Sequence, residues 1–509
     1  MRALAPEFRP YVWAPPSDEV ARLAGIDASQ VLRFDQNTPP LPLPSTRPGA
    51  IAGALARVSG YPSGGYRALR RAIADYAGVE PENIVLGAGA DDLILLCARA
   101  YAAPGDTISI PSAPTYPLYR IAAELAGATV ADVDPVLTFT CRPNNPTGAL
   151  DPLPDARPLV VDEAYYEYSG ETALPLLDEG VIVLRTFSKL FGLAGARVGY
   201  ALASADVANE LNARQAPAPI STLSAALAIA ALREPPDVTP VREERERLAA
   251  ALRALGLAPL QSHANFLYVP VDDGIALGDA LLRQGIVVRA YPEAIRASMR
   301  DVEDDDVLVE ALARILERPS PAAPRGGRSA RTLRATAETR LAVRLALDGA
   351  SRVRVETGAG LYDHFLEQLA FHAGFDLVIE GAGDFETGDH HTAEDAALAF
   401  GEALDAALGD RRGIARYGDA VVPMDDALAR AAVDLGGRAH AELKLEHDPG
   451  MATHMLASLS QAARASIHVE AAGRDAHHVA EAAFKAVGRA LRTAVGREGT
   501  GLPSTKGLL

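Results

Sequence analysis

From residue 40 to residue 220 the apolar positions gather in short runs alternating with helix-like stretches, the pattern of strands and helices wound around a sheet. Val160-Val161-Asp162 is one such run, an apolar strand ending in an acid. Residues 221–317, with the first 30, read as a smaller companion domain. From Arg318 to Ser329 the apolar periodicity stops, and Pro, Gly and Ser take over as they do in linkers. A new domain should begin near Arg331. Thr332 to Gly349 ends in strand-like alternation and closes on Asp348-Gly349, a dipeptide typical of hairpin turns. The remainder reads as paired βα repeats. The pattern thus predicts an α/β chain divided into residues 1–317, a linker 318–329, and residues 330–509.

The last region contains a repeat. His390-His391-Thr392-Ala393-Glu394, continued to Leu408, aligns without gaps to His477-His478-Val479-Ala480-Glu481, continued to Val495, with 10 identities in 19 positions. Each copy is preceded by a further histidine, His364 or His454, which suggests two structurally equivalent halves. Adjacent histidines on a helix point about 100° apart, so one pair cannot easily grip one ion. Each can instead share a metal with the glutamate one turn on, or with residues from elsewhere. Six histidines (His364, His390, His391, His454, His477, His478) and two glutamates (Glu394, Glu481) divide evenly into three imidazoles and one carboxylate for each of two metals. Nitrogen and oxygen ligands without thiolate suit Mn, Fe or Zn. His372, His440, His447 and His468 fall outside the repeat and are read as ordinary residues.

Composition narrows the setting. With 509 residues, 49% of them hydrophobic, the chain can bury two or more cores. No apolar run approaches the roughly 20 residues of a membrane helix, and no secretory apolar region is expected at the start. Only Cys97 and Cys141 occur, so no disulfide framework is implied and a cytoplasmic protein is expected. A formal charge of −17 argues against nucleic acid as a partner and requires local arginine clusters to draw in phosphorylated substrates.

Lysine use is more telling. Lys+Arg total 49, yet only four are lysines, and Lys189 alone precedes residue 444. Arginine replaces lysine in solvation and ion pairing but not as a nucleophilic amine, so Lys189 is a candidate covalent anchor. Thr186, Ser188 and Arg197 surround it in sequence with Gly192 and Gly195, a group able to approach a phosphate. Upstream lie Gly87-Ala88-Gly89-Ala90-Asp91, Ala113-Pro114-Thr115-Tyr116-Pro117, Asn144-Asn145-Pro146-Thr147-Gly148 and Asp162-Glu163-Ala164-Tyr165.

In this order the motifs resemble the fold-type I aminotransferases, and among them the histidinol-phosphate aminotransferases, over about residues 8–315. The resemblance implies a large doubly wound domain with a small domain, pyridoxal 5'-phosphate as cofactor, and Lys189 as Schiff-base lysine and proton carrier. It implies that Asp162 pairs with the pyridinium nitrogen, that Tyr116 stacks on the ring, and that Asn145 and Tyr165 bond its phenolic oxygen. Ala90 and Asp91 amides, Ser188 and Arg197 would hold the phosphate, with Tyr61 reaching it from a partner subunit, which requires a dimer. Arg296 would clamp the amino-acid carboxylate, and Arg289 and Tyr11 would lie near the substrate phosphate. Asp35-Gln36-Asn37-Thr38-Pro39 departs from the family's usual amino-terminal motif.

The histidine repeat, with Gly413-Ile414-Ala415-Arg416, Pro423-Met424-Asp425-Asp426, Asp434-Leu435-Gly436-Gly437-Arg438 and Pro503-Ser504-Thr505-Lys506, resembles imidazoleglycerol-phosphate dehydratase over residues 330–509. That family implies two duplicated βα halves, a large assembly, and two Mn²⁺ held by the eight His and Glu residues above, another divalent metal being possible. The metals hold the substrate imidazole as imidazolate, so that a carbon-bound proton and then water can leave. Glu338 would act as acid or base, with Glu481 doubling in that role. Arg416, Arg438, Lys485, Ser504 and Lys506 would hold the phosphate, and Gln368 and Asp425 would line the site. Gly388 stands where that family more often has an acid.

The two resemblances are consecutive in chemistry. Dehydration of imidazoleglycerol phosphate yields imidazole acetol phosphate, which the aminotransferases convert with glutamate to histidinol phosphate and 2-oxoglutarate. A bifunctional enzyme of histidine biosynthesis is therefore expected. The alternatives are an amino-terminal half acting on an aromatic 2-oxo acid or decarboxylating a threonine phosphate, and a carboxy-terminal half that only organises assembly.

Overall fold

The computed structural model describes residues 8–26, 28–39, 55, 58–233, 235–321, 328–349, 351–384 and 388–504. The chain divides into two compact units, Met1–Ala322 and Ala323–Leu509. Among the described residues no helix is long and apolar enough to cross a membrane.

In the first unit β1 (Leu32–Arg33) precedes a seven-stranded sheet made of β2 (Ile84–Gly87), β3 (Thr107–Ser109), β4 (Thr129–Val130), β5 (Leu137–Cys141), β6 (Leu159–Asp162), β7 (Val181–Thr186) and β8 (Gly199–Leu202). Their order is β2-β8-β7-β6-β5-β3-β4, and only β8 runs antiparallel. The central strands are buried on both faces, which explains their continuous apolar runs. The pleat sorts them. Leu159, Val161, Val181 and Val183 enter one core, and Val160, Ile182 and Leu184 enter the other. Asp162 and Thr186 close β6 and β7, so the polar residues emerge at the carboxyl edge, where open α/β sheets bind ligands.

The smaller sheet is built from β9 (Phe266–Pro270), β11 (Arg289–Tyr291) and β12 (Ala294–Ser298), all antiparallel, while β10 (Ile286–Val287) pairs in parallel with β1. This pairing explains why the first 30 or so residues and residues 221–317 belong together.

The second unit shows the duplication as structure. The strands β13 (Ser329–Ala335), β14 (Thr339–Ala346), β15 (Val353–Glu356) and β16 (Asp376–Gly383) form one sheet, and β17 (Tyr417–Met424), β18 (Ala427–Asp434), β19 (His440–Leu445) and β20 (Ser466–Ala472) the other. Both have the same order, β13-β14-β16-β15 and β17-β18-β20-β19, with the last pair parallel. The hairpin expected at Asp348-Gly349 is not there. Both edges of β14 are taken, by β13 and β16, so the next strand pairs with the far side of β16 instead. Gly349 serves a close approach: a Cβ there would lie 2.5 Å from the Asp376 amide nitrogen.

Four helices, Gly360–Ala373, His390–Leu408, Ala452–Ala462 and Ala476–Ala494, share one core with the inner faces of both sheets. Each long helix crosses a short one from the other half at a glycine. A Cβ on Gly401 would lie 2.8 Å from the Leu459 carbonyl oxygen, and one on Gly488 2.3 Å from that of Leu369. Gly401 and Gly488 are equivalent in the repeat, so the same backbone contact is made twice.

Candidate functional site

At the carboxyl edge of the seven-stranded sheet, Lys189 follows β7 and faces the end of β6. Its Nζ donates to the Gln36 carbonyl at 3.3 Å and stands 5.6 Å from the Tyr165 ring centroid. Burial, aided by Arg296, lowers the ammonium pKa to about 8 against the pull of Asp91 and Asp162. Asp162 is 4% exposed. Its Oδ2 accepts from the Tyr119 hydroxyl at 2.7 Å and its Oδ1 from the Ala164 amide at 3.0 Å. Burial pushes the carboxyl up to about 6, with these two donors opposing it.

Around this pair the polar groups converge. The Tyr165 hydroxyl accepts from Asn37 Nδ2 at 2.9 Å. Arg296 donates from Nη1 to Asn145 Oδ1 at 2.5 Å and from Nη2 to the Asp35 carbonyl at 2.6 Å. Asn37 Oδ1 and Arg296 Nε are buried with no hydrogen-bond partner among the described residues, a cost that a bound polar molecule could offset. Tyr116 donates to Asp91 Oδ1 at 3.0 Å, and Arg197 donates to Asp91 Oδ2 at 2.8 Å.

The helix Ala90–Tyr101 begins beside these side chains, capped by Gly89 at φ 84°. A Cβ on Gly89 would lie 2.6 Å from Arg197 Nη2, and one on Gly199 2.6 Å from the Gly89 carbonyl carbon and 2.7 Å from the Ala90 nitrogen. The glycines thus keep open a helix start with an arginine beside it, a cradle fitting a phosphate. Ser188 lies just below, its Oγ accepting from Thr186 Oγ1 at 3.0 Å. Tyr61 is 91% exposed. In the smaller sheet Arg289 is the register partner of Arg296. Arg289 donates to the Val12 carbonyl at 3.0 Å and lies 5.7 Å from the Tyr11 ring, which brings the residues expected at the substrate's far end together.

In the second unit the repeat folds into two clusters, and each draws on both halves. His364, His477 and Glu481 form one, His390, Glu394 and His454 the other, each with ligand atoms within 4.8 Å of one another. Glu481 Oε2 is 3.3 Å from His477 Nε2 and its Oε1 3.8 Å from His364 Nε2. Glu394 Oε2 is 3.5 Å from His390 Nε2 and its Oε1 3.3 Å from His454 Nε2. Imidazole Nε2 atoms converging on a carboxylate form a donor set that fits a divalent cation. Burial alone would raise the Glu481 carboxyl, but Lys485, His364 and His477 outweigh it and hold it below the usual range.

The expected third imidazole is in neither cluster. His391 Nδ1 is 3.1 Å from both Asp384 carboxylate oxygens and 3.7 Å from Glu338 Oε2, while His478 Nδ1 is 2.7 Å from Asp426 Oδ1. These carboxylates raise both histidines' pKa values and orient their rings. Asp425, in the turn between β17 and β18, is 3.6 Å from His478 Nε2. Lys485 Nζ lies 2.8 Å from Glu481 Oε1 and donates to Met424 Sδ at 3.4 Å. Arg416 holds Asp434 at 2.7 Å and donates to the Pro503 carbonyl at 2.9 Å, which brings it beside Ser504. Arg438 is exposed after β18, and Gln368 is half-buried on the helix Gly360–Ala373. Lys506 lies outside the described residues.

Sequence reasoning missed Tyr119, Asp384 and the orienting role of Asp426. Tyr119 stands in the first turn of the helix Leu118–Ala126, three residues past Tyr116, and no spacing in the sequence pairs it with Asp162. For Asp384 too the sequence carries no signal, since it stands seven residues before His391 with no periodic relation to it.

A family model for aminotransferase class I and II matches residues 29–312, and one for imidazoleglycerol-phosphate dehydratase matches residues 357–491. The imidazoleglycerol-phosphate dehydratase of Phytophthora nicotianae is 40% identical over 300 residues, 53% of this chain and 66% of that protein. That of Salinispora tropica is 50% identical over 201 residues, 36% of this chain and 99% of that protein. A solved histidinol-phosphate aminotransferase from Sinorhizobium meliloti, in complex with pyridoxal-5'-phosphate, matches with a TM-score of 0.53 and 26% identity over 62% of this chain and 98% of that one.

Proposed function

The chain belongs to the class I and II aminotransferases over its amino-terminal region and to the imidazoleglycerol-phosphate dehydratases over its carboxy-terminal region, and from that premise we propose a bifunctional enzyme of histidine biosynthesis. It dehydrates imidazoleglycerol phosphate to imidazole acetol phosphate, then transaminates that ketone with glutamate to histidinol phosphate and 2-oxoglutarate. The observation that carries this reading is the presence on one chain of the buried Lys189–Asp162 pair and of two His/Glu clusters. The product of one reaction is the substrate of the other. The aminotransferase region spans residues 1–317 and the dehydratase region 330–509, joined by 318–329, and the protein works in the cytoplasm.

Pyridoxal 5'-phosphate supplies an electron sink when bound in the aminotransferase region. Lys189, with a pKa of about 8, holds and releases a proton at Nζ near neutral pH. Asp162 would face the ring nitrogen as an anion, Tyr116 would cover the ring, and Asn145 and Tyr165 would bond its phenolic oxygen. Ala90, Asp91, Ser188 and Arg197 take the cofactor phosphate. Arg296 receives the substrate carboxylate, and Arg289 with Tyr11 the phosphate end. The exposure of Tyr61 supports its service to a second copy, in a dimer.

In the dehydratase region a pair of divalent metals, Mn²⁺ in our reading, would supply polarisation of the substrate imidazole when bound. His364, His477 and Glu481 would hold one, and His390, Glu394 and His454 the other. His391 and His478, each oriented through Nδ1, would complete the two sets. Glu338, with Glu481, moves the proton. Arg416, Arg438, Lys485, Ser504 and Lys506 serve the phosphate, with Gln368 and Asp425 lining the site.

The test supplies the purified protein with imidazoleglycerol phosphate, glutamate, pyridoxal phosphate and Mn²⁺ and follows both products. Formation of 2-oxoglutarate supports both activities. Accumulation of imidazole acetol phosphate alone would leave the amino-terminal region needing another acceptor, such as an aromatic 2-oxo acid or a threonine phosphate. Absence of dehydration would reduce the carboxy-terminal region to an assembly module.

A further inference from the structure

The two His/Glu clusters descend from one repeat, yet a lysine stands beside only one of their two glutamates. Glu394 gives one oxygen to each of its two histidines, at 3.5 Å and 3.3 Å. Glu481 gives Oε2 to His477 at 3.3 Å, but its Oε1 stands 3.8 Å from His364 and 2.8 Å from Lys485 Nζ. The gapless alignment places Leu398 opposite Lys485, so Glu394 has no lysine one turn on. The side chains of Lys485 and Glu481 are 16% and 8% exposed, whereas that of Glu394 is 34% exposed. Solvent therefore screens the lysine's charge poorly.

We infer that Lys485 makes the two clusters unequal in their hold on a divalent cation: the His390–Glu394–His454 cluster fills first, and the His364–His477–Glu481 cluster fills only as Lys485 releases Glu481. The inference rests on the reading of these clusters as metal centres. A cation arriving at Glu394 meets a carboxylate of charge −1. One arriving at Glu481 meets a carboxylate already neutralised by an ammonium in contact with it. It must break that charge-assisted hydrogen bond and then tolerate the ammonium nearby. Loss of the contact also frees Oε1 to close the 3.8 Å gap to His364 Nε2, the longest of the four carboxylate–imidazole distances in the two clusters.

The metal-free full-length protein is titrated with Mn²⁺ while the free ion is followed by electron paramagnetic resonance. Two ions per chain are expected, in classes separated at least about tenfold in affinity. Lys485→Leu, which installs the residue of the other copy, brings the classes to within about threefold. Glu481→Gln removes the weaker class and Glu394→Gln the tighter one. Equal affinities in the unaltered protein, an unchanged ratio in Lys485→Leu, or loss of the tighter class in Glu481→Gln would overturn the inference. If Lys485→Leu does not fold, Lys485→Gln, which keeps a polar tip without charge, gives the same comparison. Binding of no Mn²⁺ would overturn the metal-centre reading itself.

Discussion

The hydroxyl of Tyr119, on the helix Leu118–Ala126, donates to Asp162 Oδ2 at 2.7 Å in a buried bond, and the Tyr119 ring stacks on Phe139 of β5 at 5.3 Å. That bond opposes the burial that pushes Asp162 up to about 6. Tyr119→Phe removes a hydrogen bond to a charged group, typically about 1.5–3 kcal/mol, so Asp162 should titrate higher still. Affinity for pyridoxal phosphate at pH 7 should then fall about tenfold or more, measured by equilibrium dialysis. Unaltered affinity would show that Tyr119 only fills space.

Lys189→Arg should abolish transamination and the visible absorbance of bound pyridoxal phosphate while leaving dehydration within about twofold, because guanidinium keeps its proton. An equal loss of dehydration would mean that the two regions do not work separately.

Capture of the cofactor requires the neutral amine of Lys189. Because burial and Arg296 depress the ammonium pKa to about 8, the rate of incorporation into cofactor-free protein should rise with pH through about 8 rather than through the ordinary lysine range. Stopped-flow absorbance reads the midpoint directly. A rise confined to pH above about 10 would contradict the depressed value.

His390→Ala should lower dehydration at least about a hundredfold with transamination intact, since it removes a proposed ligand rather than a supporting group. Both rates can be followed in one sample. A purely organisational carboxy-terminal region would show no dehydration to lose.

Gly488 lies where the helix Ala476–Ala494 crosses Gly360–Ala373, and a Cβ there would stand 2.3 Å from the Leu369 carbonyl oxygen. Gly488→Ala must spread the helices that carry His477, Glu481 and His364. We expect about 1–3 kcal/mol of destabilisation in denaturant titration and weaker Mn²⁺ binding at that cluster. Undiminished stability and metal binding would show that the helices separate without cost.

Much of this protein was legible in one dimension. Scarce lysine singled out Lys189, because arginine cannot perform amine chemistry, and the motif order around it gave the family and the doubly wound sheet. Gapless self-alignment exposed the duplication, because two helices with the same task keep the same periodic faces. The sequence did not disclose which histidines meet. The clusters cross between halves because Gly401 and Gly488 let each long helix touch the backbone of a short helix from the other copy, so His364 joins His477 and His454 joins His390. Nor could it place Tyr119 on Asp162 or Lys485 on Glu481, or deny β14 its hairpin at Asp348-Gly349. Those outcomes depend on which strand edge is already occupied and on distances between residues remote along the chain, and only packing sets them.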